Sequence, residues 1–229
     1  MQTKEVLLKA ILLSLKEQPQ LQETTLNNEP PVIFHSERLA SLVVFDGGPI
    51  LAPVAKTGLQ FAVNTNWDVL TDGSTWYLLN NGHWLAAPAY GGPYEPVSRL
   101  PAAFSTIPAD KNFAEIRQHV PAQTQEDAGV PTIFVSTKPA EIIVTTGPPQ
   151  FVKVPGASLL AMKKTASVLF LDSTNHQFYY LVSGRWFKAP GLDGPWQFAT
   201  NDLPADFALI RPDGSDRLCG EHEFRGARG

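Results

Sequence analysis

The sequence has a single cysteine, Cys219, so no internal disulfide can staple it and packing alone must hold the framework. One cysteine also leaves the redox compartment open. Charge is sparse, at 17% of residues, and the net charge of −4 comes without any basic run longer than two residues. That excludes a surface that tracks phosphates, and with it nucleic acid as an expected partner. No apolar run is long enough to span a bilayer. The nearest is Val6–Leu15, which Lys9 interrupts, and no small-x-small cleavage site follows before Pro19. It therefore reads neither as a transmembrane segment nor as a signal peptide.

The chain is rich in what strands and turns need. Among 229 residues, 43% are hydrophobic, and 17 Gly and 20 Pro separate clusters of β-branched and aromatic residues. That is enough apolar material for one large or two medium cores. The expected fold is mainly β, with a minor helical part.

An internal repeat organises the reading. Laying Pro31–Asp110 against Pro131–Asp213 matches Ile33-Phe34 with Ile133-Phe134, Ser36 with Ser136 and Val44 with Val144. Gly47, Pro49, Val54, Leu59, Thr65 and Asp72 meet Gly147, Pro149, Val154, Leu159, Thr165 and Asp172. The register then slips by two, because the second copy has a longer turn at Ser173–Gln177. Beyond it, Gly82-x-Trp84 meets Gly184-x-Trp186, Gly92-Pro93-Tyr94 meets Gly194-Pro195-Trp196, and Leu100-Pro101 meets Leu203-Pro204. Slips confined to turns are what a duplicated strand scaffold tolerates.

The expected boundaries follow. Residues 1–30 form an N-terminal helix and linker, 31–110 the first β-repeat, 111–130 a helix and linker, 131–212 the second β-repeat and 213–229 a disordered tail. In the N-terminal helix Thr3 is the candidate cap, Leu8, Ile11, Leu12 and Leu15 share a face, and Pro19 ends it. In the inter-repeat helix Asn112 caps, and Phe113, Ile116 and Val120 face one way. Strands are expected in the second copy at 141–145, 150–154, 159–163, 168–171, 178–182, 185–188 and 196–199. Asn81-Gly82 and Ser183-Gly184 are the tight hairpin turns. Meanders of four strands suit propeller blades or separate small sheets, and the sequence leaves both open. After Asp213 the chain turns charged and Gly-rich, as a truncated longer repeat array would.

The string Tyr179-Tyr180-Leu181-Val182-Ser183-Gly184-Arg185-Trp186-Phe187-Lys188-Ala189-Pro190, then Asp193-Gly194-Pro195-Trp196 and Leu203-Pro204-Ala205-Asp206-Phe207, resembles large bacterial repeat proteins labelled "carbohydrate-binding family V/XII". The resemblance covers most of residues 22–212. It implies an envelope or secreted bacterial protein, further repeats, and a glycan or cell-surface polysaccharide as partner. The first copy departs from the pattern: Asn80-Asn81-Gly82-His83-Trp84-Leu85 stands at the Ser-Gly-Arg-Trp element, and Tyr94 at the second Trp.

Sugar faces stack on exposed rings, so aromatics are the candidate ligand contacts. Trp84, Tyr94, Trp186 and Trp196 recur between copies, as scaffold positions also would. In Arg185-Trp186-Phe187-Lys188, alternation puts Trp186 and Phe187 on opposite faces without saying which is buried. Trp67, Trp76 and Tyr90 have no aromatic counterpart, and Asn64, Asn66, Asp68 and Asp72 beside them suit sugar hydroxyls or turns equally. Asp72 and Asp172 stand in turn settings at equivalent positions, which argues against a glycosidase pair. His35, His83, His119, His176 and His222 have no metal-ligand spacing, and no phosphate loop or nucleophile elbow is present. No catalytic residue, metal or cofactor is expected. Three functions compete: a non-enzymatic carbohydrate-binding module, a structural or protein-interaction repeat, and a propeller-type glycosidase fragment.

Overall fold

The computed structural model describes residues 28–123 and 129–210. The N-terminal helix expected over residues 3–18 and the tail after Asp213 lie outside these residues. Each copy begins with two short strands: β1 (Val32–Ser36) and β2 (Ala40–Val44) in the first, β9 (Thr132–Ser136) and β10 (Ala140–Val144) in the second. Each then forms a six-stranded antiparallel meander. The first sheet runs β3 (Leu51–Pro53), β4 (Gln60–Ala62), β5 (Asp68–Thr71), β6 (Trp76–Asn80), β7 (His83–Ala87) and β8 (Glu95–Pro96). The second runs β11 (Gln150–Lys153), β12 (Leu159–Lys163), β13 (Leu169–Asp172), β14 (Phe178–Val182), β15 (Arg185–Ala189) and β16 (Gln197–Phe198). The four-stranded blades entertained from the sequence are therefore six-stranded sheets. The short strands β3 and β8 hydrogen-bond on at the two edges.

Turn chemistry sets the meanders. Asn81 and Gly82 sit at φ +48° and +81°, and Ser183 and Gly184 at +48° and +77°. Both central residues of a two-residue hairpin must have positive φ, and here they do. Asn80 consequently pairs with His83, and Val182 with Arg185. The longer turn of the second copy closes by bonds from Asp172 N–H to Gln177 O and from His176 N–H to Asp172 O. The first copy closes in fewer residues, from Asp72 N–H to Thr75 O.

The opening strands are exchanged between copies. β1 pairs in parallel with β10, and β2 in parallel with β9. The registers repeat: Val32 stands opposite Ala140, and Thr132 opposite Ala40. The flanking bonds repeat too. Thr145 N–H donates to Ser36 O, and Phe45 N–H to Ser136 O, each at 2.9 Å. Ser36 Oγ and Ser136 Oγ bond the backbone two residues on, at Arg38 and Lys138, and fix the corner between each pair of strands. Phe34 and Phe134 meet with ring centroids 4.9 Å apart. These relations are those of a two-fold axis passing between equivalent residues.

Each sheet packs on both faces, the outer face of the second only in part. The inner face of the first packs Val69, Leu78, Leu85, Ala87 and Tyr94 on Val43 and Phe45 of its own copy and on Ile133 and Val135 of the other. The inner face of the second packs Tyr180, Val182, Phe187 and Trp196 on Ile143 and on Ile33 of the first copy. Outer faces are covered by 3-10 turns at Ala102–Thr106 and Ala205–Leu209. In the first half, a further 3-10 turn at Lys111–Phe113 and helix α1 (Ala114–Gln118) complete the cover. Asp110, not Asn112, caps this segment: its carboxylate accepts from Asn112 N–H at 2.8 Å. Asp110 holds the extended backbone that a cap needs, whereas Asn112 already lies within the turn. Phe113 and Ile116 are buried and Val120 packs beside them, as their spacing predicts.

The Phe34–Phe134 contact is testable. Phe34→Ala and Phe134→Ala should each cost roughly 2 kcal/mol in urea unfolding, less than a fully buried Phe, because both rings are half-buried. A double-mutant cycle should return a coupling of about 0.5–1.5 kcal/mol; additive losses would show that the rings act independently.

Candidate functional site

The recurrent aromatics fill the structure. Trp84 is 1% exposed on the outer face of the first sheet, beneath Phe104, whose ring meets it edge-on at 5.2 Å. Its Nε1 donates to His119 O at 2.8 Å. Tyr94 and Trp196 are buried on the inner faces. Tyr94 OH donates to Tyr90 O at 3.1 Å, and burial pushes its pKa up to about 12. Trp196 packs on Tyr180 at 5.9 Å. Phe187 is fully buried on the inner face, which resolves the alternation and sends Trp186 to the outer one. Trp186 is half-buried there, 6.0 Å from Phe170 and 5.0 Å from Phe207. None of these four makes part of a flat exposed row of rings.

The aromatics unique to the first copy stand elsewhere. Trp67 is half-buried, and its Nε1 donates to Leu42 O of β2 at 2.7 Å. Tyr90 is exposed and lies edge-on to Phe45 and to Trp76, each at 5.8 Å. Phe45 in turn lines an open cleft of about 510 Å³. The cleft is bounded by Val44–Asp46, Val63–Asn66 and Thr137–Pro139. It lies where the corner of the second copy passes over the first sheet.

The polar groups of this cleft divide into occupied and free. Asn64 is structural: its Nδ2 donates to Asp46 O and Gly48 O, and its Oδ1 accepts from Ile50 N–H. Thr65 Oγ1 is buried and has no hydrogen-bond partner among the described residues. Asn66, Asp46 and Lys138 are exposed around it, and Val63 and Pro139 give apolar walls. In the second copy Thr165 Oγ1 accepts from Ser167 N–H at 3.1 Å. There Gly147 N–H also donates across the gap to Glu37 O at 3.0 Å. No matching bond joins Gly47 to Thr137 among the described residues. The cleft is therefore a place where the two-fold relation fails.

The acidic candidates sort differently. Asp68 lies on β5, and burial first, then the Glu115 charge, pushes its carboxyl up. Asp72 Oδ1 accepts from Ser74 N–H, Ser74 Oγ and Thr75 N–H, and its Oδ2 from Tyr77 OH at 3.3 Å. Asp172 Oδ1 accepts likewise from Thr174 N–H and Oγ1. Each carboxylate is bound into its own turn, in its own sheet, so the two do not face one another across a pocket. Among the described residues no group of three His, Cys, Asp or Glu side chains is placed to hold a metal ion. Nor is any helix among them long and apolar enough to cross a membrane.

Sequence reasoning named Asn64 and Asn66 but missed Thr65, Asp46, Lys138 and Pro139. Thr65 recurs as Thr165, which marked it as scaffold. The available signal was the divergence around it: Asn66-Trp67 against Ala166-Ser167, and Asp46 against Thr146. The described residues thus form a duplicated β-protein with reciprocally exchanged strands and an asymmetric cleft. No family model matches it, nor does any curated protein or solved structure.

Two measurements check these placements. Trp84→Ala should cost about 3–5 kcal/mol and Trp186→Ala roughly half as much, since only the first ring is enclosed. Equal losses in denaturant titration would contradict the difference in cover. For Asp72, slight burial pushes the carboxyl up, but its four hydrogen bonds outweigh this and hold it below the ordinary carboxylate range. Its contribution is present above the unfolded pKa of about 3.9 and is lost as pH falls through the lower folded value. Asp72→Asn should therefore be less stable than the parent at pH 7, by under about 1 kcal/mol because the site is exposed, and the gap should close below roughly pH 4.

Proposed function

We propose that this chain is a non-enzymatic β-repeat binding module and that its ligand is a saccharide held in the first-half cleft. The observation that carries the reading is the buried, unpartnered Thr65 Oγ1 beside an open cleft that the second copy walls on one side. A buried hydroxyl without a partner is costly, and turning Thr65 about χ1 toward the cleft would let a ligand hydroxyl satisfy it. Asn66 offers both a donor and an acceptor, Asp46 an acceptor and Lys138 a donor, which together match vicinal hydroxyls. Val63 and Pro139 supply the apolar surface for a sugar's C–H face. The volume suits one or two sugar rings. The resemblance of the second copy to carbohydrate-binding repeats points the same way. The recurrent rings play a different part here: Trp84 and Trp196 are buried in the scaffold, and Tyr90, which packs on Phe45 and Trp76, stands outside the cleft lining.

A second reading, a protein-interaction repeat, draws on the outer face of the second sheet, where Trp186, Phe207 and Ile210 remain only partly covered.

The test is a glycan array followed by calorimetric titration, with Thr65→Val, Asn66→Ala and Trp186→Ala alongside the parent. Loss of one ligand-bonded group should weaken binding about tenfold in the first two variants and leave Trp186→Ala as the parent. A parent that binds no glycan, or cleft variants that bind as it does, removes the proposal.

A further inference from the structure

The segment that covers the outer face of the first sheet is held at one end by polar groups. Lys111–Phe113 and helix α1 bring Phe113 and Ile116 onto Trp84 and Phe104. His119, just past the helix, ties this cover to the sheet. Its carbonyl accepts from Trp84 Nε1 at 2.8 Å. Its imidazole stands over the hairpin tip, where a Cβ on Gly82 would be 2.9 Å from His119 Cε1. Its Nε2 lies 3.1 Å from Glu115 Oε1, one turn back on α1. On the sheet side stands Asp68. Leu70 packs on the outer face and Val69 on the inner, so alternation sends the half-buried Asp68 outward. Asp68 pairs with Leu79, which in turn pairs with Trp84. The repeat does not require an acid at this position, because its counterpart is Val168.

We propose that residues 111–119 form a proton-controlled strap, held down while Asp68 and His119 are protonated and loosened once both protons are lost. Glu115 is the partner that both groups share. In the protonated state it faces a neutral acid on the sheet and an imidazolium on its own helix. In the deprotonated state it faces a second carboxylate, and the His119 contact keeps only a neutral hydrogen bond. The two deprotonations therefore act in the same direction. Burial first, then the Glu115 charge, raises the Asp68 pKa. Docking of the strap is favoured below that raised value and weakens as pH rises through it.

The other groups around the strap do not reverse this sign. β4 and the 3-10 turn at Ala102–Thr106 carry no titratable side chain. Tyr77 of β6 has its OH on Asp72. His83 of β7 alternates with Trp84 and so points to the inner face with Leu85. Lys111, Arg117 and Arg99 are exposed. The apolar contacts of Phe113 and Ile116 do not titrate, so protons set how often the strap lifts, not whether the half folds. Lifting frees the Trp84 indole N–H from the His119 carbonyl and uncovers Phe104. None of these residues lines the cleft, so the strap stands apart from the saccharide reading.

Exchange of the Trp84 indole N–H in the full chain tests it, followed by NMR at about pH 5 and about pH 8 and corrected for intrinsic exchange. The Trp67 indole N–H, bonded to Leu42 O at 2.7 Å, is the reference within the same half. The opening constant at Trp84 should be about fivefold larger at the higher pH, with no change at Trp67. Glu115→Gln removes the shared partner and should abolish the difference. Asp68→Asn keeps the neutral form at both pH values and should reduce the difference to about twofold. Equal opening of the parent at the two pH values overturns the proposal. So does a difference that survives in Glu115→Gln, or an equal rise at Trp67, because the change would then belong to the whole half and not to the strap.

Discussion

The structure depends on the reciprocal parallel pairing of β1 with β10 and β2 with β9. A six-stranded meander has two faces to bury and can build only one cover from the residues that follow it. The other cover is the exchanged pair of strands, half of which belongs to the other copy. Ile133 and Val135 complete the first core, and Ile33 completes the second. Neither half has its full inner core without the other. The 3-10 turns, hairpins and Gly-Pro elements dress a frame that this exchange sets.

A two-fold scaffold makes departures from symmetry informative. Where both copies agree, as at Trp84 and Trp186 or Asp72 and Asp172, the residues have paired structural duties: rings on outer faces and carboxylates in turns. Where they disagree, one copy has a satisfied contact and the other an open one. Thr165 is bonded and Thr65 is not. Gly82 is crowded by His119 and Gly184 is not. The two asymmetries fall on different halves, so they are separate features of one frame rather than one site.

Much of the frame was legible in the sequence because its signals are local. Positive φ at Asn81-Gly82 and Ser183-Gly184 follows from residue type, and strand positions follow from alternation between such turns. The longer turn at Ser173–Gln177 was visible as a register slip. The strand exchange was not legible. Val32 and Thr132 have the same neighbours in sequence whether they pair within a copy or across copies, and only tertiary packing separates the cases. The same limit applied to Trp186 and Phe187, whose alternation fixes opposite faces but not which face has the thicker cover. The cleft was half legible: Asn64 and Asn66 stood out by composition, but the orphaned hydroxyl of Thr65 shows only once Lys138 and Pro139 arrive from about 70 residues away.

The exchange also orders events during synthesis. Val32 and Ala140 are partners more than a hundred residues apart, so β1 leaves the ribosome long before β10 exists. The first meander can close locally while its opening strands wait with bare edges. During that interval the correct partner and the same strand of a neighbouring nascent chain offer an identical row of hydrogen bonds. Chain spacing on a polysome thus becomes a condition for this protein to pair with itself.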